Sequence, residues 1–161
     1  MTLVFDLKSG FFRRFTLKIV LFVAGLLSRY HFVRGKLFGI NSIHFARFSL
    51  IDEGKRMLFL SDYDGSWDLY LDDFLTVGAT AVVPIWTNLK GCPTTCFLFW
   101  PKPGFGTIFR PFIRHHQTPN QVWYSAYDTL SVANILRFGH IRNGLFDELD
   151  WQEEQEWLQQ L

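Results

Sequence analysis

"IHFARFSLIDEGKRMLFLSDY", residues 43–63, reads as two strands around a turn. Alternation places His44, Ala46, Phe48 and Leu50 on one face of the first strand, and Phe45, Arg47, Ser49 and Ile51 on the other. Between the strands, "DEGK" supplies the turn, with Gly54 free to take a positive φ. A hairpin this tight is antiparallel, so an all-α chain is excluded. A doubly wound parallel sheet is disfavoured as well, because the glycine-rich phosphate loop of such folds is missing.

Towards the C-terminus the hairpin runs into "LSDYDGSWDLYLDDF", residues 60–74, which holds five aspartates. Asp64 or Ser66 can cap a helix in which Trp67, Leu71, Phe74, Leu75 and Gly78 recur at helical spacing, and Asp68 suits the positive end of that helix. "GATAVVPIW" (78–86) is a short apolar piece, and "TTCFLFW" (94–100) reads as a third, central strand because it is continuously apolar. Phe105, Ile108, Phe109, Phe112 and Ile113 form a helical stripe that Pro111 should kink or restart. "QVWYSAY" (121–127) reads as a fourth strand, and "SVANILRFGHIRNGLF" (131–146) as a helix with Val132, Ile135 and Leu136 inward. This order predicts an α+β, ferredoxin-like sandwich: a four-stranded, mainly antiparallel sheet with helices on one face, plus an N-terminal basic amphipathic helix. The expected division is a basic helical region over 1–40, the α+β domain over 41–146 and an acidic helical tail over 147–161.

On the N-terminal side, "FFRRFTLKIVLFVAGLLSRY" has an uninterrupted apolar run of only nine residues, Ile19 to Leu27. About 20 are needed to span a bilayer. No small-residue cleavage site follows, so neither a spanning anchor nor a cleaved signal peptide is expected. Phe15, Ile19, Phe22, Leu26 and Leu27 share one helical stripe, with Arg14, Lys18 and Arg29 towards its flanks. That pattern fits an in-plane membrane helix and, equally, a helix packed on its own core with a basic outer face.

Composition sharpens the question. Of 161 residues, 48% are hydrophobic and 18% aromatic, eighteen of them Phe, while only 19% are charged. A chain so apolar must hide more surface than an average domain, in a partner interface, a lipid-facing patch or a ligand pocket. The net charge of +1 conceals a strong asymmetry. Residues 7–51 carry eight Lys or Arg and no acid, and residues 147–161 carry six acids and no base. Arg13, Arg14, Lys18, Phe22 and Leu26 are therefore the expected membrane or partner contacts, joined by Trp151 and Trp157 of the acidic tail. Base-stacking and groove-reading signatures are lacking, so nucleic acid is not an expected partner.

Little else points to chemistry. Cys92 and Cys96 are spaced as C-x3-C without a second Cys/His pair, so no metal site is expected and both read as reduced thiols. His44 on its strand reads as a hydrogen-bonded, half-buried side chain, and His115–His116 as a helix end. No Walker loop, nucleophile elbow or zinc-protease helix is present. Trp67 with Gln121, Trp123, Ser125 and Tyr127 makes an aromatic-and-polar set suited to lining a ligand pocket.

"GINSIHFARFSLID", "RMLFLSDYDGSWDLYLDDF" and "PNQVWYSAYDTLSVANI" resemble a group of bacterial proteins that share an IHFAR strand, a YDGSW turn and a QVWYSAY strand. The resemblance runs over about residues 39–145 and implies a ferredoxin-like domain without an assigned activity. More loosely, the chain is similar to the dimeric α+β barrel superfamily, which includes dye-decolourising peroxidases and chlorite-dismutase-like haem proteins. Those peroxidases carry a Gly-x-x-Asp-Gly motif. Here "SDYDG" sets Asp64 and Gly65 in register, with Ser61 where the first glycine stands. By that resemblance Asp64 would be the distal acid, Arg137 or Arg142 the distal arginine, and His115, His116 or His140 the haem ligand. The expected function is nevertheless a small, non-catalytic module without cofactor. It would work at the cytoplasmic, inner face of a membrane or as a subunit of a membrane-associated assembly, with homo-oligomerisation open. A haem-dependent, peroxidase-like oxidoreductase and an apolar-ligand binder are the alternatives.

Overall fold

In the computed structural model, residues 1–30, 40–76, 79–93, 95–96, 100–101, 103–146 and 151–159 are described, with the backbone alone at 79–82, 95–96 and 100–101. The chain divides into two compact units, residues 1–123 and 124–161. The fold is α+β. In the first unit, strand β1 (Thr2–Asp6) leads into helix α1 (Phe11–Tyr30) and the hairpin β2 (Ile43–Ile51) and β3 (Arg56–Tyr63). Helices α2 (Trp67–Thr76) and α3 (Ala79–Trp86) follow, then a short antiparallel ribbon of β4 (Thr95–Cys96) and β5 (Trp100–Pro101), and helix α4 (Phe105–His115).

The hairpin is as the sequence predicts. Ile51 opposes Arg56 across a turn in which Gly54 has φ +75°, and the antiparallel register runs from there back to Ile43 opposite Tyr63. Its core face carries Ala46, Phe48 and Leu50, while Phe45 and Arg47 are exposed. The expected third neighbour is different, however. The sheet has the order β1-β3-β2, so β3 is central and its third strand comes from the extreme N-terminus. Leu3, Phe5 and Leu7 alternate inward from this segment and are all buried. That alternation was readable in "TLVFDL", but it is short and sits beside a far stronger helical pattern.

Among the described residues, neither of the strands expected at 94–100 and 121–127 joins this sheet. Thr95–Cys96 pairs with Trp100–Pro101; Thr94 and residues 97–99 lie outside the described residues. Residues 121–127 have irregular backbone. The reason lies just upstream. The free edge of β1 is met at Gln117 by a bridge from Leu3, and the Thr118 amide donates to the Thr2 carbonyl. Pro119 then brings no amide hydrogen with which to extend the ladder.

The core lies between one face of the sheet and the helices. Met57 and Phe59 of β3 are fully buried, as are Leu3 and Phe5 opposite them on β1. From the helices come Tyr70, Leu71 and Phe74 of α2, Val83, Ile85 and Trp86 of α3, and Phe105, Phe109, Phe112 and Ile113 of α4. Trp86 is the hub: Phe5, Phe59 and Phe109 meet its ring edge-on at 5.2, 5.5 and 5.7 Å. Pro111 does not end α4, which continues through it to His115, and Ile108 points outward rather than with the stripe.

In the second unit, α5 (Val132–Gly144) is capped by Ser131, whose hydroxyl accepts from the Asn134 amide at 3.2 Å, and α6 (Trp151–Leu158) forms the expected acidic helix. Val132 is buried, but Ile135 is exposed. The indole of Trp157 donates to the Ile141 carbonyl at 2.9 Å, closing α6 on α5. Trp157 is thus half-buried and engaged with α5, whereas Trp151 is exposed.

Candidate functional site

Helix α1 is 20 residues long, about 30 Å by the helical rise. Its inner side is narrow. Leu17 is wholly buried, and Val20 and Leu21 pack against the core beside it. The stripe foreseen from the sequence faces the other way. Phe15, Ile19, Phe22, Leu26 and Leu27 are all exposed, Phe22 at 67%, and they are joined by Phe11, Phe12, Val23 and Tyr30. The helix therefore has two apolar sides, and the larger one is unburied. No acidic residue stands in its first turn, where Arg13 and Arg14 stand instead, at the end that the helix dipole makes positive. Two arginines there destabilise the helix by a few tenths of a kcal/mol each, so helix stability is not what their placement serves. Arg13, Arg14, Lys18 and Arg29 are all exposed. His31, Arg34 and Lys36 of the same basic stretch lie outside the described residues.

The aspartate-rich turn is built differently from a catalytic carboxylate cluster. Ser66, immediately before α2, takes the Leu69 amide on its hydroxyl at 3.2 Å and so carries the cap. Asp64 turns back towards the sheet, where its carboxylate meets His44 Nε2 at 2.7 Å. A register shift between Ile43 and Phe45 falls at His44, and such bulges re-aim a side chain. His44 is half-buried and hydrogen-bonded, as the sequence suggested. Gly65, between the two, has φ +81°, which a side chain would strain.

Asp68 and Asp72 serve packing between helices, both bonding the Arg110 guanidinium of α4, the first at 3.3 Å. One turn on, Arg114 lies 4.3 Å over the Trp67 ring. Behind them Tyr70 stacks on Tyr63 at 3.9 Å and shares a 2.6 Å hydrogen bond with Ser61. Burial pushes the Tyr70 phenol well above its ordinary range, and pushes the Cys92 thiol up to about 11.

The other expected site residues are spread over both units. Trp67 is tucked beneath Arg114, while Gln121, Trp123, Ser125 and Tyr127 are exposed on irregular backbone. Asp64 belongs to the first unit, and Arg137 and His140 to the second. His116 stacks on Phe5 at 4.8 Å and bonds the Phe112 carbonyl through Nδ1, whereas His115 and His140 are exposed. Among the described residues no three or more His, Cys, Asp or Glu gather as a metal site, and no helix is long and apolar enough to cross a membrane. No family model, curated protein or solved structure matches the chain.

Proposed function

We propose that the chain is a non-catalytic module that works at a membrane surface, with α1 as its contact element. One observation carries the reading: the largest apolar stripe of α1 turns away from the core that its opposite side helps to build. Burying a Phe or Leu side chain is worth about 1.5–3 kcal/mol. Nine large side chains left in water on one helix therefore hold a substantial reserve of free energy that a lipid interface would recover. The basic residues among them suit the headgroup layer, as an in-plane helix requires. The anionic inner, cytoplasmic leaflet is the natural surface for this combination.

Flotation with vesicles made from a bacterial total-lipid extract tests the reading. Wild-type protein should float with the lipid. The double variant Phe15→Ser/Phe22→Ser should lose at least about tenfold in partitioning, because it removes two inserting rings from exposed positions. Its unchanged circular dichroism would show that the fold is intact. Wild-type protein that stays with the buffer would overturn the proposal.

A further inference from the structure

We infer that α1 docks as a rigid, already folded helix on anionic phospholipid, and reads the headgroups mainly along one border. This rests on the membrane reading above and specifies its ligand and orientation.

At about 100° per residue, Arg14, Lys18 and Arg29 fall within a sector of about 60° along one edge of the exposed apolar face. They extend over about 22 Å of the helix axis. The opposite edge, with Thr16, Val23 and Leu27, has Arg13 alone beyond it, at the start of the helix, so three cations border one side of the face and one the other. A helix charged so unevenly settles rolled. Phe11, Phe15, Phe22 and Leu26 sink to the acyl boundary, and the three cations lie beside them at phosphate level. Lys and Arg reach that level readily because their stems are themselves apolar.

Charge also selects the occupant. A second α1 laid antiparallel on the face would bring Arg and Lys against Arg and Lys, and α1 has no acid to pair with them. Anionic lipid supplies the missing charge at any register. Many interfacial helices fold only on binding, but α1 is held beforehand, through Leu17, Val20 and Leu21, on the core that the sheet and α3 complete. The ordering entropy is therefore spent in folding, and binding adds little to it.

The experiment uses the full chain and vesicles of phosphatidylcholine with and without phosphatidylglycerol. Partitioning should be far stronger to the anionic vesicles and should fall as salt is raised. Arg14→Gln/Lys18→Gln/Arg29→Gln should weaken it on the order of 100-fold, about fivefold per residue, and leave binding to pure phosphatidylcholine unchanged. Arg13→Gln should have a smaller effect than Arg14→Gln. Far-ultraviolet circular dichroism should show no gain of helix on adding lipid. Equal, salt-insensitive binding to both vesicle types would overturn the headgroup inference while leaving the membrane reading intact. A gain of helix would overturn docking of a prefolded helix. A dimer in solution that Phe22→Ser returns to monomer would assign the face to a second copy, and failure to bind either vesicle would remove both readings.

Discussion

Ser66 and Asp64 are two residues apart, both offer a capping oxygen, and Ser66 takes the Leu69 amide. Ser66 is the residue directly before the helix, so its short hydroxyl reaches the amide three residues on, while Asp64 stands two residues further back and its carboxylate meets His44. Ser66→Ala should therefore cost about 1 kcal/mol by chemical denaturation, and Ser66→Asp should restore most of it. Asp64→Ala should leave helix capping intact and lose its coupling to His44, which a double-mutant cycle should place at about 0.5–1 kcal/mol for a pair this exposed. A larger loss of helix from Asp64→Ala than from Ser66→Ala would show the cap to be misassigned. Both candidate capping oxygens were legible in the sequence, but the choice of Ser66 and the approach of the histidine were not. Its approach depends on the hairpin register and on the irregularity at His44, neither of which local spacing reveals.

Elements were legible where their own periodicity decides them and illegible where pairing decides them. The hairpin and the stripe of α4 declare themselves by alternation and by helical recurrence. Residues 121–127 have strand composition and no strand, because a strand exists only where an edge accepts it and Pro119 interrupts the one at hand. For α1 the amphipathic pattern was plain, yet it could not say which apolar side the core would take. The narrower one, around Leu17, won. In the second unit the helix pair depends on a glycine. A Cβ on Gly144 would overlap the indole of Trp157, which also bonds the Ile141 carbonyl. Gly144→Ala should accordingly separate α6 from α5, a change visible as a red shift and increased quenching of tryptophan fluorescence. Because the core of the first unit is built from residues 3–113, its thermal unfolding should stay unchanged. Gly139→Ala, with open space around it, is the control and should be neutral or slightly stabilising.

At the scale of the whole molecule the aromatic load divides in two: rings clustered about Trp86 make the core, and rings on α1 are left outside it. The sequence announced the excess without saying how it would be shared. Burial in that core also ties stability to alkaline pH. Cys92 is buried in the same core cluster as Leu89 and Phe112, and its thiol rises from an ordinary 9.0 to about 11 because burial disfavours the thiolate, an effect that Lys8 only partly offsets. The Tyr70 phenol is raised from 10.0 for the same reason. In both cases the folded pKa lies above the unfolded one, so the unfolded chain releases its protons first. The contribution to stability is complete below about pH 9 and is lost as pH rises, first through the thiol and then through the phenol. The thiol's share is at most about 3 kcal/mol between pH 9 and pH 11. Denaturation midpoints across that interval should fall steeply in the wild type and less steeply in Cys92→Ala, whatever that variant loses in absolute stability. The same burial should keep Cys92 unreactive towards a thiol reagent at pH 8 in a Cys96→Ser background, with reaction appearing only as the fold opens. Parallel pH slopes for wild type and Cys92→Ala, or prompt labelling of the native protein, would mean that the thiol is not held in the core.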